Sequence, residues 1–128
     1  MNMPSSKKTS ASKKTTVSSG RQYEKKAALF YKQLGFETVA RNWQAAHKEI
    51  DLIVRKHNLM VFVEVKSART TTFGHPAQRV DKKKIENLTR AARQYLAENR
   101  IENTDLRFDV VTFVNGRLEH YPNAFECE

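Results

Sequence analysis

The chain has 128 residues, of which 23 are lysine or arginine and 14 are aspartate or glutamate, for a formal net charge of +9. This length fits one domain, and the positive charge favours polyanionic partners such as nucleic acid, with a basic protein that has no such partner as the alternative. There is no apolar run of about 18 residues, which excludes a transmembrane helix, and the single cysteine, Cys127, excludes an internal disulfide. Together these features predict a soluble cytoplasmic protein.

Residues 1–19 differ in composition from the rest of the chain. They contain nine serine or threonine residues and four lysines but no acidic residue. A segment with so little apolar surface cannot offset the entropy lost on ordering, so we predict a disordered basic tail. Residues 20–128 are predicted to form a single domain, which keeps a charge of +5.

Hydrophobic periodicity predicts a helix, three strands, a second helix and two further strands. The first helix is predicted at residues 20–35, with Gly35 as its C-terminal cap. The remaining segments are predicted at residues 36–42, 49–56 and 59–67 (strands), 81–100 (helix), and 106–114 and 117–121 (strands). This order is typical of an α/β or α+β layered fold in which helices pack on a mixed sheet.

Three features near the C-terminus refine this picture. Asn115-Gly116 is typical of a two-residue hairpin turn between the last two strands. Arg107 and Asp109 share a strand face, which predicts an ion pair between them. Residues 123–125 are predicted to anchor the C-terminal segment.

Two neighbouring strands within residues 48–67 carry acids and a lysine between apolar residues. Because strand side chains alternate between faces, Glu64 and Lys66 project to one face. If a two-residue loop joins the strands, Asp51 lies opposite Glu64, and Glu49 lies opposite Lys66. The pattern therefore predicts two carboxylates side by side with an ammonium group close to them.

Two opposed carboxylates repel each other unless positive charge lies between them. Lys66 supplies part of that charge, and Mg²⁺, which prefers carboxylate and water oxygens, would supply more from a site on Asp51 and Glu64, with the Val65 carbonyl as a third ligand. Such a metal lowers the pKa of a bound water, while a neighbouring lysine positions water or neutralises developing charge. The alternative is a salt-bridged pair of strands without catalytic function, in which Glu49 pairs with Lys66.

The motif EIDLIV followed by VFVEVKSA resembles the YraN family of uncharacterised bacterial proteins. Further matching pieces occur in the same order along residues 20–125. They are Gly20-x-x-x-Glu24, Arg41-Asn42, Phe73-Gly74 with Pro76, Val80-x-x-x-Lys84, Arg107-Phe108-Asp109 and Asn123-Ala124-Phe125. One departure is Lys48, which stands where the family usually has glycine.

The YraN family is similar to a branch of the PD-(D/E)xK, or restriction-endonuclease-like, nuclease superfamily. The resemblance implies an α/β fold with an αβα core, in which a mixed sheet is flanked by helices. It also implies that Asp51 and Glu64 are metal ligands and that Lys66 is the catalytic lysine, with Mg²⁺ or Mn²⁺ as cofactor. Glu24 matches a first-helix acid that can help to hold metal in the archaeal Holliday-junction-resolvase branch. The implied activity is hydrolysis of phosphodiester bonds in DNA, including branched DNA.

A basic flank on the second helix is a candidate nucleic-acid-binding surface, since each neutralised phosphate releases counterion. The residues that would contact nucleic acid are Gln78, Arg79, Lys82, Lys83, Lys84 and Arg90. The alternative is an ordinary solvated helix face.

Three functions are consistent with these patterns. The first is a Mg²⁺-dependent nuclease, in which a homodimer would suit junction cleavage. The second is a non-catalytic nucleic-acid-binding module that retains the nuclease fold. The third is a partner-binding protein whose acidic pocket is structural.

Overall fold

The computed structural model describes residues 15–68 and 82–125, with side chains at residues 20–67 and 82–125. In chain order the elements are α1 Thr15–Gln33, β1 Glu37–Gln44, β2 Glu49–Lys56, β3 Leu59–Ala68, α2 Lys82–Glu98, β4 Asp105–Val114 and β5 Arg117–Tyr121. The predicted order of helices and strands is confirmed. The first helix begins at Thr15, five residues before its predicted start. Residues 1–14 lie outside the described residues, so disorder there stays a prediction.

The five strands form one mixed sheet in the order β1-β2-β3-β4-β5. β3 and β4 are parallel, whereas the other three neighbouring pairs are antiparallel. Parallel neighbours need a crossover connection, and α2 lies in that connection between β3 and β4. β1 and β5 form the two edges of the sheet, which leaves the acid-bearing strands β2 and β3 inside it.

Alternate side chains of the strands pack into two separate hydrophobic clusters. Val61 and Val63 of β3 lie in a cluster with Ala27 and Tyr31 of α1. Their neighbour Phe62 lies in the other cluster, together with residues of α2 that include Ala91, Ala92 and Tyr95. The helices therefore cover opposite faces, and the predicted αβα core is confirmed. Each fully buried aliphatic side chain in these clusters contributes about 1.5–3 kcal/mol. Neither described helix is long and apolar enough to span a membrane.

Two tight turns that the sequence predicted contain residues with positive φ. Gly35, with φ of 96°, follows the C-terminal end of α1. Asn115 and Gly116, with φ of 55° and 80°, form the two-residue loop between β4 and β5. The loop between β2 and β3 also has two residues and contains His57 with φ of 55°. The length of this last loop fixes which residues of β2 and β3 face each other.

Candidate active site

The pairing of β2 with β3 follows the predicted register and then stops. Lys56 lies opposite Leu59, and the ladder continues to Leu52 opposite Val63. Asp51 is the next residue of β2, and its carboxylate Oδ2 accepts a hydrogen bond of 2.8 Å from the Val65 amide. The Asp51 carboxylate thus bonds the Val65 amide of β3 just beyond the last described pair of the ladder. The candidate site lies at this point.

The described ladder between β2 and β3 ends before it reaches Glu49 or Lys66, so their predicted pairing stays a prediction. On their other sides, Glu49 lies opposite Gln44 of β1, and Lys66 lies opposite Thr112 of β4.

Asp51 sits in an environment that disfavours its ionised form. Burial and the negative charge of Glu64 raise the pKa of Asp51 from 3.8 to about 7, and Glu24 adds to the increase. The hydrogen bond from Val65 and the positive charge of Lys48 act in the opposite direction but are outweighed. A carboxylate that raises the pKa of a neighbouring aspartate is the arrangement that the sequence predicted, and it is typical of functional sites.

Glu64 is buried, with 5% of its surface exposed, and two ammonium groups approach it. Lys48 Nζ lies 3.4 Å from Oε1, and Lys84 Nζ of α2 lies 3.2 Å from Oε2. The Lys48 contact is longer than the 2.7–2.9 Å of a normal charged hydrogen bond. Among the described residues, Oε1 has no hydrogen-bond partner although it is inaccessible to water. This oxygen therefore keeps an unused acceptor site inside the acidic centre.

Glu24 lies on α1 and connects the acid pair to Lys66. Its Oε1 accepts a hydrogen bond of 2.6 Å from the Asn42 side-chain amide of β1. Asn42 adopts a φ of 52° and also accepts a hydrogen bond from Arg21. Glu24 acts electrostatically on Asp51 and, with Lys66, lines a small cavity of about 70 Å³. The other residues that line this cavity are Gly20, Tyr23, Val65 and Ser67.

The donor atoms at this centre suit a hard divalent cation. Asp51 and Glu64 offer carboxylate oxygens, and the buried Oε1 of Glu64 has unused acceptor capacity. Across residues 20–67 and 82–125, no three acidic, histidine or cysteine side chains form a metal-binding group. A cation here would therefore be held by two carboxylates, with the Val65 carbonyl and water completing the shell, and Mg²⁺ accepts such shells readily. The assignment of Glu24 as a further ligand stays a prediction.

The basic residues of α2 divide into two groups. Lys82, Lys83 and Arg90 are exposed, as a nucleic-acid-binding surface requires. Lys84 instead points to the acidic centre through its ion pair with Glu64. The other two candidates, Gln78 and Arg79, lie outside the described residues. The surface predicted for nucleic acid therefore begins next to the acid pair.

Sequence reasoning missed the contacts of Lys48 and Asn42. Lys48 precedes β2, and its carbonyl accepts a 2.9 Å hydrogen bond from the Ala45 amide, which closes the turn that aims the side chain at Glu64. Its replacement of a family glycine was the available signal, but the direction of a turn side chain cannot be read from spacing. Asn42 was part of a matched motif, and its left-handed φ gave no sequence signal beyond the general tolerance of asparagine for that conformation.

Comparisons with known proteins agree with the motifs. The model of the uncharacterised protein family UPF0102 matches residues 23–113. The UPF0102 protein of Sulfurihydrogenibium sp. (strain YO3AOP1) is 36% identical over 109 residues, which cover 85% of this chain and 95% of the relative. That of Chloroherpeton thalassium is 38% identical over 116 residues, 89% of this chain and 88% of the relative. That of Persephonella marina is 32% identical over 109 residues, 85% of this chain and 94% of the relative.

Proposed function

The chain belongs to the uncharacterised protein family UPF0102, the YraN family of the sequence motifs, and we propose that it is a Mg²⁺-dependent nuclease that hydrolyses phosphodiester bonds in DNA, including branched DNA. The observation that carries this proposal is the position of Asp51, where burial and the negative charge of the neighbouring Glu64 raise its pKa to about 7. Asp51 is half-buried and Glu64 is buried, so the repulsion between their carboxylates lowers the stability of the fold, and a cation between them would offset that cost.

Each residue of the site has a function in this proposal. Asp51 and Glu64 would hold Mg²⁺ or Mn²⁺, and Glu24 would support them from α1. When bound, the metal supplies a water of lowered pKa and positive charge for the pentavalent phosphorus. Lys66, in the cavity beside Glu24, would orient the attacking water and neutralise charge that develops on the phosphate oxygens.

Substrate binding would use the positive charge of the chain. The exposed Lys82, Lys83 and Arg90 lie on the same helix as Lys84, whose ammonium group lies at Glu64. Phosphates bound along α2 would therefore lead directly to the acid pair. A homodimer would present two such sites to a four-way junction, and a cytoplasmic location would give access to DNA.

A second function is favoured by the ion pairs of Glu64. Lys48 and Lys84 together carry two positive charges, which match the two carboxylates of Asp51 and Glu64. A site balanced by its own lysines can persist without metal, as a non-catalytic nucleic-acid-binding module would require. The two functions predict the same affinity for phosphate but different dependence on divalent cations.

The test is a cleavage assay on labelled junction, flap and linear DNA with Mg²⁺, Mn²⁺ or EDTA. We expect products that require the metal and fall at least about 100-fold in Lys66→Ala, the usual range for loss of a catalytic acid–base or charge-stabilising group. Lys56→Ala is the matched control, because this lysine lies at the other end of β2 and donates to the Leu34 carbonyl. Salt-sensitive binding without products would favour the non-catalytic module. Products that survive in Lys66→Ala would point to a contaminating nuclease.

A further inference from the structure

The acidic centre contains a positive charge that the proposed chemistry does not use. Lys48 lies in the turn between β1 and β2, and its side chain is 19% exposed. The Ala45–Lys48 backbone hydrogen bond fixes this turn, so the stem of the lysine starts from a defined position. Its ammonium group ends 3.4 Å from Oε1 of Glu64, the buried oxygen that lacks a hydrogen-bond partner.

We propose that Lys48 is an internal competitor of the divalent cation, a positioned ammonium group that occupies the cation's side of Glu64 and sets how tightly the protein binds metal. This inference rests on the proposed metal site, and it goes beyond it by assigning a residue that tunes the affinity. Lys48 would thus determine metal affinity, and it is not a catalytic residue.

Charge explains why the two cations exclude each other. A divalent ion on Asp51 and Glu64 would lie within a few ångströms of the Lys48 ammonium, where like charges repel strongly at the low effective dielectric of a partly buried site. A metal bound to Glu64 Oε1 would meet the Lys48 ammonium group beside the same oxygen. Metal binding would therefore favour displacement of that ammonium group.

The geometry of Lys48 makes its departure feasible. The contact is an ion pair without the short distance of a charged hydrogen bond, so little directional bonding is lost. The side chain is partly exposed, and a lysine stem can swing its charged end into water while the methylene groups stay packed. Lys84 differs, because it approaches the other oxygen, Oε2, from α2 and would remain as a neighbour of the bound cation.

The experiment is a calorimetric titration of the DNA-free protein with Mn²⁺ and with Mg²⁺, which requires no catalysis. We expect Lys48→Met to bind either ion about tenfold more tightly than the unmodified chain, since a partly buried ion pair falls between the strengths of exposed and buried pairs. Lys48→Arg keeps the charge and is expected to bind within about twofold of the unmodified chain, because its cation still competes.

The matched control is Lys56→Met, which removes one positive charge from the far end of β2, the strand that Lys48 precedes. The Lys56 ammonium group donates to the Leu34 carbonyl, and the backbone of Lys56 lies about 16 Å from that of Asp51 along β2, where salt screens its effect on the site. We expect no change in metal affinity. Thermal unfolding of all variants without metal shows that each one is folded before titration.

The outcomes separate this inference from the proposed function. Metal binding that is equal in the unmodified chain, Lys48→Met and Lys56→Met would overturn the competition while leaving the metal site intact. A gain that is equal in Lys48→Met and Lys56→Met would overturn it too, because the effect would then come from net charge alone. Failure of every variant to bind either ion would overturn both the inference and the metal site on which it rests.

Discussion

The sheet contains two centres of buried carboxylate, and they are built in opposite ways. Asp109 of β4 is fully buried and accepts five hydrogen bonds. The donors are Arg107 through two nitrogens, the Tyr31 hydroxyl, His120 Nε2 and the Asn123 amide, at 2.7–2.9 Å. In the acid pair, Asp51 accepts one amide hydrogen bond, and Oε1 of Glu64 accepts none from the residues that the structure describes, although the Lys48 ammonium group lies near it.

The pKa values of the two centres diverge for this reason. Burial alone would raise the pKa of Asp109, but the hydrogen bonds from Arg107, His120, Tyr31 and the Asn123 amide outweigh it and lower the pKa. Burial and the charge of Glu64 raise the pKa of Asp51 to about 7. A satisfied buried carboxylate holds the fold together, whereas an unsatisfied pair lowers stability and retains capacity for a ligand.

The largest test of this contrast is Asp109→Ala. Removing the carboxylate leaves Arg107 and the Tyr31 hydroxyl without their partner, so we expect a loss of about 3–5 kcal/mol in the free energy of unfolding. Asp51→Ala is the matched variant, and we expect a loss below about 1 kcal/mol because it also removes an unfavourable charge. Urea denaturation at pH 7.5 in EDTA measures both. Equal losses would show that the two centres have the same structural function.

The pH dependence of stability separates the centres next. A carboxyl whose folded pKa is raised binds its proton more tightly in the folded state, so its contribution to stability is lost as pH rises from 3.8 to about 7. We expect the unmodified chain to gain stability relative to Asp51→Asn as pH falls from 8 towards 4, by at most about 4 kcal/mol.

Urea denaturation in EDTA at several pH values gives this difference directly. Asp109 does not affect this comparison, because both proteins contain it. Its pKa is lowered in the folded state, so the stability that it contributes is lost only below pH 3.8. A difference between the two proteins that stays constant with pH would mean that Asp51 ionises normally in the folded state.

The sequence predicted the parts of the site that follow from strand geometry. Alternation and a two-residue loop were enough to bring Asp51 and Glu64 together, because antiparallel pairing leaves little freedom once the loop length is known. The described ladder stops at Leu52, where the Asp51 carboxylate accepts a hydrogen bond from the Val65 amide. The predicted pairing of Glu49 with Lys66 lies beyond this point and stays a prediction.

Contacts between distant elements were beyond sequence reasoning. The pair of Arg107 and Asp109 was predicted and is confirmed, because two residues on one strand face have a fixed separation. Tyr31 of α1 and His120 of β5 also form hydrogen bonds with Asp109 of β4. The spacing of residues along the sequence does not reveal contacts between these separate elements. The ion pair of Lys48 with Glu64 was missed for the same reason.

A smaller effect is expected from Tyr31→Phe, which removes one donor to Asp109 and keeps the buried ring. Hydrogen bonds to charged groups contribute about 1.5–3 kcal/mol, and four others remain on Asp109, so we expect a loss of about 1.5 kcal/mol. Tyr23→Phe on the same helix is the control, with an expected change below about 0.5 kcal/mol, since its ring stacks on Phe113 without a hydroxyl partner among the described residues. A loss in both variants of the same size would place the effect in the helix and not in the Asp109 centre.

The smallest effect concerns Glu24, which is intermediate between the two centres because one side-chain amide, that of Asn42, donates to it. Asn42→Gly removes this amide but tolerates the φ of 52°, so the backbone is expected to keep its course. If Glu24 supports the cation, its looser orientation should weaken Mn²⁺ binding by about three- to tenfold, at the low end for an outer residue of a metal site.

Asn115→Gly is the matched control, since Asn115 has a φ of 55° in the β4–β5 loop far along the chain from the acids. Calorimetric titration of both variants measures the difference, and equal affinities would remove Glu24 from the metal site while leaving Asp51 and Glu64 in it.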